Sequence, residues 1–195
     1  MTKSAKLIIL GAGAPHRGDI PAALREPRSG TSMLQWLLDA SGCTVEDATF
    51  VAGYQAEAIR ARYPELPVVE NPDWEYTGSG ASLLAADFPA ERPLLVCYSD
   101  ILFRESVPVA LAAVDADIAV AWDSAWEHRY AGRAAEDLVR DAIYDGKDYD
   151  NMHMTSFIQH LIDSGWEARA AFIDNGWAEV DCEADLDMAT EFWNP

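Results

Sequence analysis

The most constraining feature of the chain is a short apolar run that ends abruptly in glycine, Leu7-Ile8-Ile9-Leu10-Gly11-Ala12-Gly13. Such a run is typical of a buried parallel strand, and glycines directly after it let the backbone approach a ligand closely. Main-chain N–H groups in such a loop form a concave anion site, and Arg17 adds a planar positive charge that suits phosphate. Residues 11–18, called the glycine loop below, therefore predict a nucleotide-binding loop.

The glycine loop departs from the dinucleotide-binding fingerprint. His16 stands where a third glycine would let the following helix pack on the strand. The second predicted strand ends in Gly53-Tyr54 and supplies no acidic residue for a ribose. A dinucleotide-dependent oxidoreductase is therefore the less favoured interpretation.

Charge and cysteine content restrict the class of partner. The 195 residues carry a net charge of −19, which argues against nucleic acid and anionic membranes as partners. Cys43, Cys97 and Cys182 are unclustered, as is typical of free thiols in a reducing compartment. Because no apolar stretch reaches membrane-spanning length, we expect a cytoplasmic protein. The length predicts one domain over residues 1–195.

The hydrophobic pattern alternates strands and helices through most of the chain. This order predicts an α/β fold with a Rossmann-like, mostly parallel mixed sheet and helices on both faces. A Ser156–Gln159 capping box predicts the start of a later helix. Residues 132–154 are charged and lack periodicity, so we interpret them as a lid or insertion. The predicted strands are 7–10, 49–52, 67–70, 94–98, 118–122, 168–173 and 177–180; the predicted helices are 31–41, 55–63, 80–87, 107–114, 156–164 and 183–192.

Two carboxylates follow predicted strands. Asp100 comes just after strand 94–98, and Asp181 comes directly after strand 177–180. Ligands of open parallel sheets bind beyond the carboxyl ends of the strands, where the glycine loop also lies. Mg²⁺ is typically held by one or two carboxylates plus substrate phosphates. Either aspartate could instead cap a loop or helix, but together with the loop they indicate a metal–triphosphate site.

The ordered motifs resemble those of the nucleotidyltransferases that act on sugar phosphates and phosphocholine. The resemblance runs nearly end to end and implies Mg²⁺ at Asp100 and Asp181. It rests on Leu10-x-x-Gly13-x-x-x-Arg17, Val51-Ala52-Gly53-Tyr54, Asn71-Pro72-Asp73-Trp74, Thr77-Gly78-Ser79-Gly80-Ala81-Ser82-Leu83, Ser99-Asp100 and Trp177-Ala178-Glu179-Val180-Asp181.

Within that family, the chain is most similar to the cytidylyltransferase domains of bifunctional phosphoenolpyruvate mutase/cytidylyltransferases of fosfomycin biosynthesis. This similarity rests on segments 18–24, 126–133 and 154–159. It implies transfer of CMP from CTP to 2-hydroxyethylphosphonate with release of pyrophosphate. It also implies that the chain could belong to a longer polypeptide with a fused mutase domain.

The resemblance also implies roles for individual residues. The triphosphate would contact Gly11, Ala12, Gly13 and Arg17, and the cytosine would contact Gly78, Gly80 and Ser82. The acceptor's anionic head would contact Arg129, Arg133 or Lys147. The family places a lysine against the phosphates where this chain has Ala22, so we expect Arg25 or Arg28 to supply that charge.

Two alternatives remain open at this stage: phosphocholine or a sugar phosphate as the acceptor, and a chain without catalytic activity. Five aromatic residues, Trp74, Trp122, Trp126, Tyr130 and Trp177, could cage a quaternary ammonium, which would favour phosphocholine over a phosphonate. The departures at Pro15 and Ala22 leave room for a catalytically silent nucleotide-binding module, because proline donates no N–H.

Overall fold

The computed structural model describes residues 5–15, 18–28, 30–89, 91–126 and 151–181, together with residues 185, 186 and 189. Helices and strands alternate through these segments. The strands are β1 Lys6–Gly11, β2 Ala48–Ala52, β3 Val68–Glu70, β4 Leu94–Tyr98, β5 Ile101–Phe103, β6 Ile118–Asp123, β7 Ala168–Ile173 and β8 Trp177–Glu179. The helices are α1 Met33–Ser41, α2 Ala56–Arg62, α3 Ser79–Leu84, α4 Ser106–Ala112 and α5 Met154–Asp163, with 3₁₀ turns at Ala22–Leu24 and Val45–Asp47.

The main sheet is parallel and has the strand order β3-β2-β1-β4. Strand β1 lies inside it, pairing Gly11 with Ala52 on one side and Leu10 with Tyr98 on the other. Its residues Leu7, Ile8 and Ile9 are fully buried, which is why the strand reads as a continuous apolar run. A parallel pair, β6-β7, and an antiparallel pair, β5-β8, complete the described strands, so the predicted α/β class is confirmed.

Apolar clusters cover both faces of the main sheet. On one face, Leu34 and Leu37 of α1 pack with Ile59 of α2 and Val107 of α4. On the other, Leu83 of α3 packs beneath β1, and Phe157 of α5 lies against the same cluster. Helices therefore flank the sheet on both sides, as the alternating pattern predicts.

One predicted helix start is wrong. The capping box at Ser156 does not begin α5, because the helix already starts at Met154 with His153 as its N-terminal cap residue. The amide of Met154 donates instead to Ser79 Oγ at 3.0 Å. A contact from a distant helix thus takes the place of the local cap. The predicted helix 183–192 lies largely outside the described residues.

The described helices include none whose length and apolar character would let it span a bilayer.

Candidate nucleotide and metal site

A cavity of about 350 Å³ opens where the glycine loop, helix α3 and the end of β8 meet. Most of the predicted site residues within the described segments border it, although Gly80 does not. Its lining includes Gly11, Ala12, Gly13, Arg25, Gly78, Ser82, Asp100 and Asp181, together with Pro15, Ala22, Trp74 and His153. The cavity size falls near the lower end of the range for small-molecule sites.

The two carboxylates meet because β5 and β8 pair antiparallel. Ile101 lies opposite Glu179, so Asp100, which precedes β5, and Asp181, which comes after β8, lie at the same end of the pair. The N–H of Val180 extends the pairing by donating to the Asp100 carbonyl at 2.8 Å. Strand β8 is therefore not a further strand of the parallel sheet, and it is this antiparallel pairing that brings Asp181 beside Asp100.

The position of Asp181 is fixed by a residue that the sequence analysis missed. The N–H of Asp181 donates to Asp185 Oδ2 at 3.0 Å, and Asp185 is only 2% exposed. A buried carboxylate four residues on thus holds the peptide that carries Asp181, one of the two predicted metal ligands. The signal in the sequence was the spacing Asp181-x-x-x-Asp185, which a single helix turn would bring together.

The environment of Asp100 disfavours its negative charge. Burial raises the pKa of Asp100, and the neighbouring Asp181 carboxylate raises it further. A backbone hydrogen bond and the Arg25 guanidinium act in the opposite direction. A buried carboxylate whose charge is disfavoured by a second carboxylate could be neutralised by a divalent ion, which prefers oxygen ligands. Among the described residues, no group of three or more His, Cys, Asp or Glu side chains gathers in a way that could hold a metal ion.

The side chain of Arg25 lies near both carboxylates, Asp100 and Asp181. Its Nη1 donates to the Val180 carbonyl at 2.8 Å, one residue before Asp181. The guanidinium therefore borders the same cavity as Asp100, Asp181 and Ala22, the position where the family resemblance predicts a lysine. Of the two arginines expected to substitute for that lysine, Arg25 borders the cavity.

Gly11 and Gly13 of the glycine loop have different surroundings. A Cβ on Gly11 would lie 2.2 Å from the Phe50 ring and 2.9 Å from Ser99 Oγ. A Cβ on Gly13 would meet nothing within 4 Å. Gly11 therefore allows close packing inside the protein, whereas the space beside Gly13 is open to a ligand.

The glycines near α3 mainly accommodate protein backbone. A Cβ on Gly78 or Gly80 would come within 2.5 or 2.8 Å of the Met152 carbonyl, and Gly80 N donates to that oxygen. Ser82 Oγ, which borders the cavity, accepts from the buried Asn71 side chain at 3.0 Å. Gly80 thus contacts Met152 and does not itself border the cavity.

Of the predicted lid, residues 151–154 pack near Gly78 and Gly80, and residues 132–150 lie outside the described residues.

Several predicted contacts fall outside the described residues. These are Arg17 in the glycine loop, His16 beside it, and the acceptor candidates Arg129, Arg133 and Lys147.

A second cavity, of about 560 Å³, lies between β4 and the β6-β7 pair. Tyr98 borders both cavities. Three of the five aromatic residues singled out in the sequence line the second cavity, namely Trp122, Trp126 and Trp177. Asp123, 7% exposed, is the single carboxylate among its described lining residues and accepts from Trp177 Nε1 at 2.8 Å.

Sequence comparisons find local similarity to curated proteins, one of them a cytidylyltransferase. The chain is 46% identical over 56 residues to the CTP:phosphoglutamine cytidylyltransferase of Campylobacter jejuni, which is 29% of this chain and 22% of that protein. It is 28% identical over 99 residues to the bifunctional protein GlmU of Thermotoga petrophila, half of this chain and 22% of that protein. The chain thus spans about a fifth of the length of these relatives. No protein-family model matches it.

Structural comparisons extend over the whole chain. The inositol-1-phosphate CTP transferase of T. maritima superposes with a TM-score of 0.66 at 15% identity, covering 98% of this chain and 96% of that one. The CTP:phosphocholine cytidylyltransferase LicC of Streptococcus pneumoniae superposes with a TM-score of 0.62 at 14% identity, covering 98% and 100%. The chain therefore has the α/β fold of the nucleotidyltransferases.

Proposed function

We propose that the chain is a Mg²⁺-dependent cytidylyltransferase that transfers CMP from CTP to 2-hydroxyethylphosphonate or a similar small phosphonate, releasing pyrophosphate. The observation that carries the proposal is the convergence of Asp100 and Asp181 beside the glycine loop in one cavity. The local identity to a CTP:phosphoglutamine cytidylyltransferase and the fold shared with an inositol-1-phosphate CTP transferase support CTP as the donor.

Each wall of the cavity has a part in this reaction. Asp100 and Asp181 would hold Mg²⁺, which supplies neutralisation of the triphosphate charge when bound. The backbone of residues 11–13 and the Arg25 guanidinium would contact the triphosphate, with Arg17 as a further predicted contact. Gly78 and Ser82 would face the cytosine, and Gly80 would keep that wall in place through Met152.

The chemistry needs little beyond positioning. An ionised phosphonate oxygen attacks the α-phosphorus of CTP in line, a new P–O bond forms, and pyrophosphate leaves with the electrons of the broken bond. Because the nucleophile is already ionised at neutral pH, it needs no general base. The protein contributes orientation and charge neutralisation, as in other phosphoryl transfers. Arg129, Arg133 and Lys147 stay predicted contacts of the acceptor's head, and residues 132–154 stay a proposed lid.

Pyrophosphate release tests the proposal directly. A mixture of the protein, CTP, Mg²⁺ and 2-hydroxyethylphosphonate should release pyrophosphate, and Asp100→Ala should abolish the release. Asp87→Asn is the matched control, because Asp87 is an exposed carboxylate outside the cavity lining. Tight CTP binding without turnover on any phosphonate or phosphate acceptor would identify a silent nucleotide-binding module instead.

Phosphocholine is a second candidate acceptor, favoured by the second cavity. Three tryptophans and a buried carboxylate line it, and such surroundings attract a quaternary ammonium through cation–π and charge interactions. Tyr98 borders both cavities, so an acceptor could place its phosphate near Asp100 and its cationic end near Asp123.

Acceptor competition separates the two candidates. Phosphocholine and 2-hydroxyethylphosphonate would be compared at fixed CTP for the wild type and for Trp126→Leu. If phosphocholine is the substrate, Trp126→Leu should raise its KM about tenfold, the size expected for a desolvated cation–π contact. The KM for CTP should stay unchanged. If the phosphonate is preferred, the same variant should alter its KM little, because a neutral hydroxyethyl group has no charge for the ring to attract.

A further inference from the structure

One short turn, Gly53–Gln55, forms hydrogen bonds near the start of the glycine loop and just beyond its end. The N–H of Tyr54 donates to the Ala12 carbonyl at 2.8 Å, near the start of the loop. Beyond the loop's end, the Asp19 carbonyl accepts from Gln55 Nε2 at 3.0 Å and from Tyr54 OH at 3.2 Å. A Cβ on Gly53 would lie 2.6 Å from the Ala12 carbonyl, so the turn can approach this closely only with glycine there.

Gln55 has a backbone conformation that costs free energy. Its φ of 48° and ψ of 41° lie in the left-handed region, which glycine adopts freely and residues with a Cβ avoid. Apart from Asn175, no other non-glycine residue in the described segments has a positive φ. A glycine at this position would avoid the strain but would lack the two hydrogen bonds that the exposed Gln55 side chain donates.

These hydrogen bonds form a small cluster on the loop. Gln55 Nε2 donates to both the Asp19 carbonyl and Tyr54 OH, each at 3.0 Å, so one amide group engages the loop and its neighbour together. The Tyr54 ring meets Trp74, a cavity-lining residue, edge to face at 5.8 Å between ring centres. The turn is thus attached to the loop on one side and to the cavity wall on the other.

We propose that Gln55 and Tyr54 are positioning residues that hold Ala12 and Asp19, on either side of residues 13–18, where the backbone of the glycine loop can bind a triphosphate. The backbone strain at Gln55 is retained because the side chain reaches Asp19, which a glycine could not do. Both residues act through the loop and not on the substrate. The proposal rests on the proposed function in so far as the loop binds the CTP triphosphate.

Three variants separate the effect of the left-handed backbone at Gln55 from the effect of the side-chain hydrogen bonds. Gln55→Gly removes the strain and the side-chain contact, so its melting temperature should be unchanged or higher while its Kd for Mg–CTP rises about three- to tenfold. Gln55→Asn tolerates the left-handed backbone but is one methylene shorter, so it should bind CTP as weakly as the glycine variant. Tyr54→Phe keeps the ring against Trp74 and should show a smaller loss. The KM for the acceptor should not change in any of them.

Hydrogen exchange gives a readout that is independent of nucleotide. Amides in residues 11–19 should exchange faster in Gln55→Gly and Gln55→Asn than in the wild type, with no nucleotide present. Unchanged loop exchange, or weaker CTP binding only in variants that also melt earlier, would overturn the proposal. If the wild type binds no nucleotide, the proposed function fails, but faster loop exchange would still support the positioning role.

Discussion

The main-chain N–H of Val180 donates a 2.8 Å hydrogen bond to the carbonyl oxygen of Asp100, and the Val180 carbonyl accepts from Arg25. The fully buried residue Val180 therefore connects the backbone of Asp100 to the guanidinium of Arg25 through its own N–H and carbonyl groups. Asp181 is the next residue along the chain. The geometry of the site depends on this backbone as much as on the charged side chains themselves.

Replacing Asp100 by asparagine should stabilise the metal-free protein while abolishing activity. Burial raises the pKa of Asp100, so the charged form is disfavoured in the folded state, and a neutral side chain of the same shape removes that cost. A gain of about 1 kcal/mol corresponds to a melting temperature about 2–4 °C higher in a chain of this size. Calorimetry with EDTA at pH 7 measures the shift, and a lower melting temperature would contradict it.

Changing Arg25 to lysine should reduce activity although it keeps the charge. Lysine is a compact ammonium and lacks the planar fork with which Arg25 can reach the Val180 carbonyl and a phosphate together. Losing one charge-assisted hydrogen bond, about 1.5–3 kcal/mol, predicts a fall in kcat/KM of about 10- to 100-fold. Steady-state kinetics test this, with the exposed Arg62→Lys as the control. Equal kinetic constants for Arg25→Lys and the wild type would show that the guanidinium of Arg25 does not contact the substrate.

Replacing Gly11 by alanine should lower stability, whereas replacing Gly13 by alanine should weaken CTP binding. Gly11→Ala places a methyl group against the Phe50 ring, so it should destabilise the fold by about 1–3 kcal/mol. Gly13→Ala meets no protein atom and should leave the melting temperature unchanged, yet raise the Kd for CTP by occupying ligand space. Thermal melting and calorimetric titration distinguish the pair. Normal CTP binding by Gly13→Ala would show that the triphosphate lies elsewhere.

Asp185 should matter for activity without touching the substrate. Its Oδ2 accepts from the Asp181 N–H, so Asp185→Ala leaves a donor without its carboxylate beside the metal site. We expect a loss of stability of about 1–3 kcal/mol and a higher Mg²⁺ concentration for half-maximal rate. Asp185→Asn retains an acceptor oxygen and should recover most of the Mg²⁺ response. Activity measured against Mg²⁺ concentration provides the check, and an unaltered response in Asp185→Ala would contradict a role in positioning Asp181.

Features that depend on local pattern were predictable from the sequence. The run Leu7–Leu10 is apolar because β1 is buried on both faces and both edges, and such runs indicate interior parallel strands. Most helix and strand bounds fall within a few residues of those expected. Asp100, directly after a strand, was recognisable by its place at the sheet's carboxyl edge.

Features that depend on distant contacts were not predictable. Nothing near Ser156 shows that Ser79 will accept the first amide of α5, so the helix start was misplaced. The antiparallel pairing of β8 with β5 and the reach of Arg25 to Val180 likewise join segments far apart in sequence. The requirement for glycine at position 80 arises from the Met152 carbonyl, which no local motif reveals.

The antiparallel pairing of β5 with β8 has a consequence for the order of events during synthesis. A nascent polypeptide that ends before Trp177 already contains the glycine loop and Asp100, but it lacks the strand that supplies Asp181. Closing so long a loop carries an entropic cost, which only the finished core can offset. The approach of Asp181 to Asp100 should therefore form late, after the strand that contains Trp177 has left the ribosome.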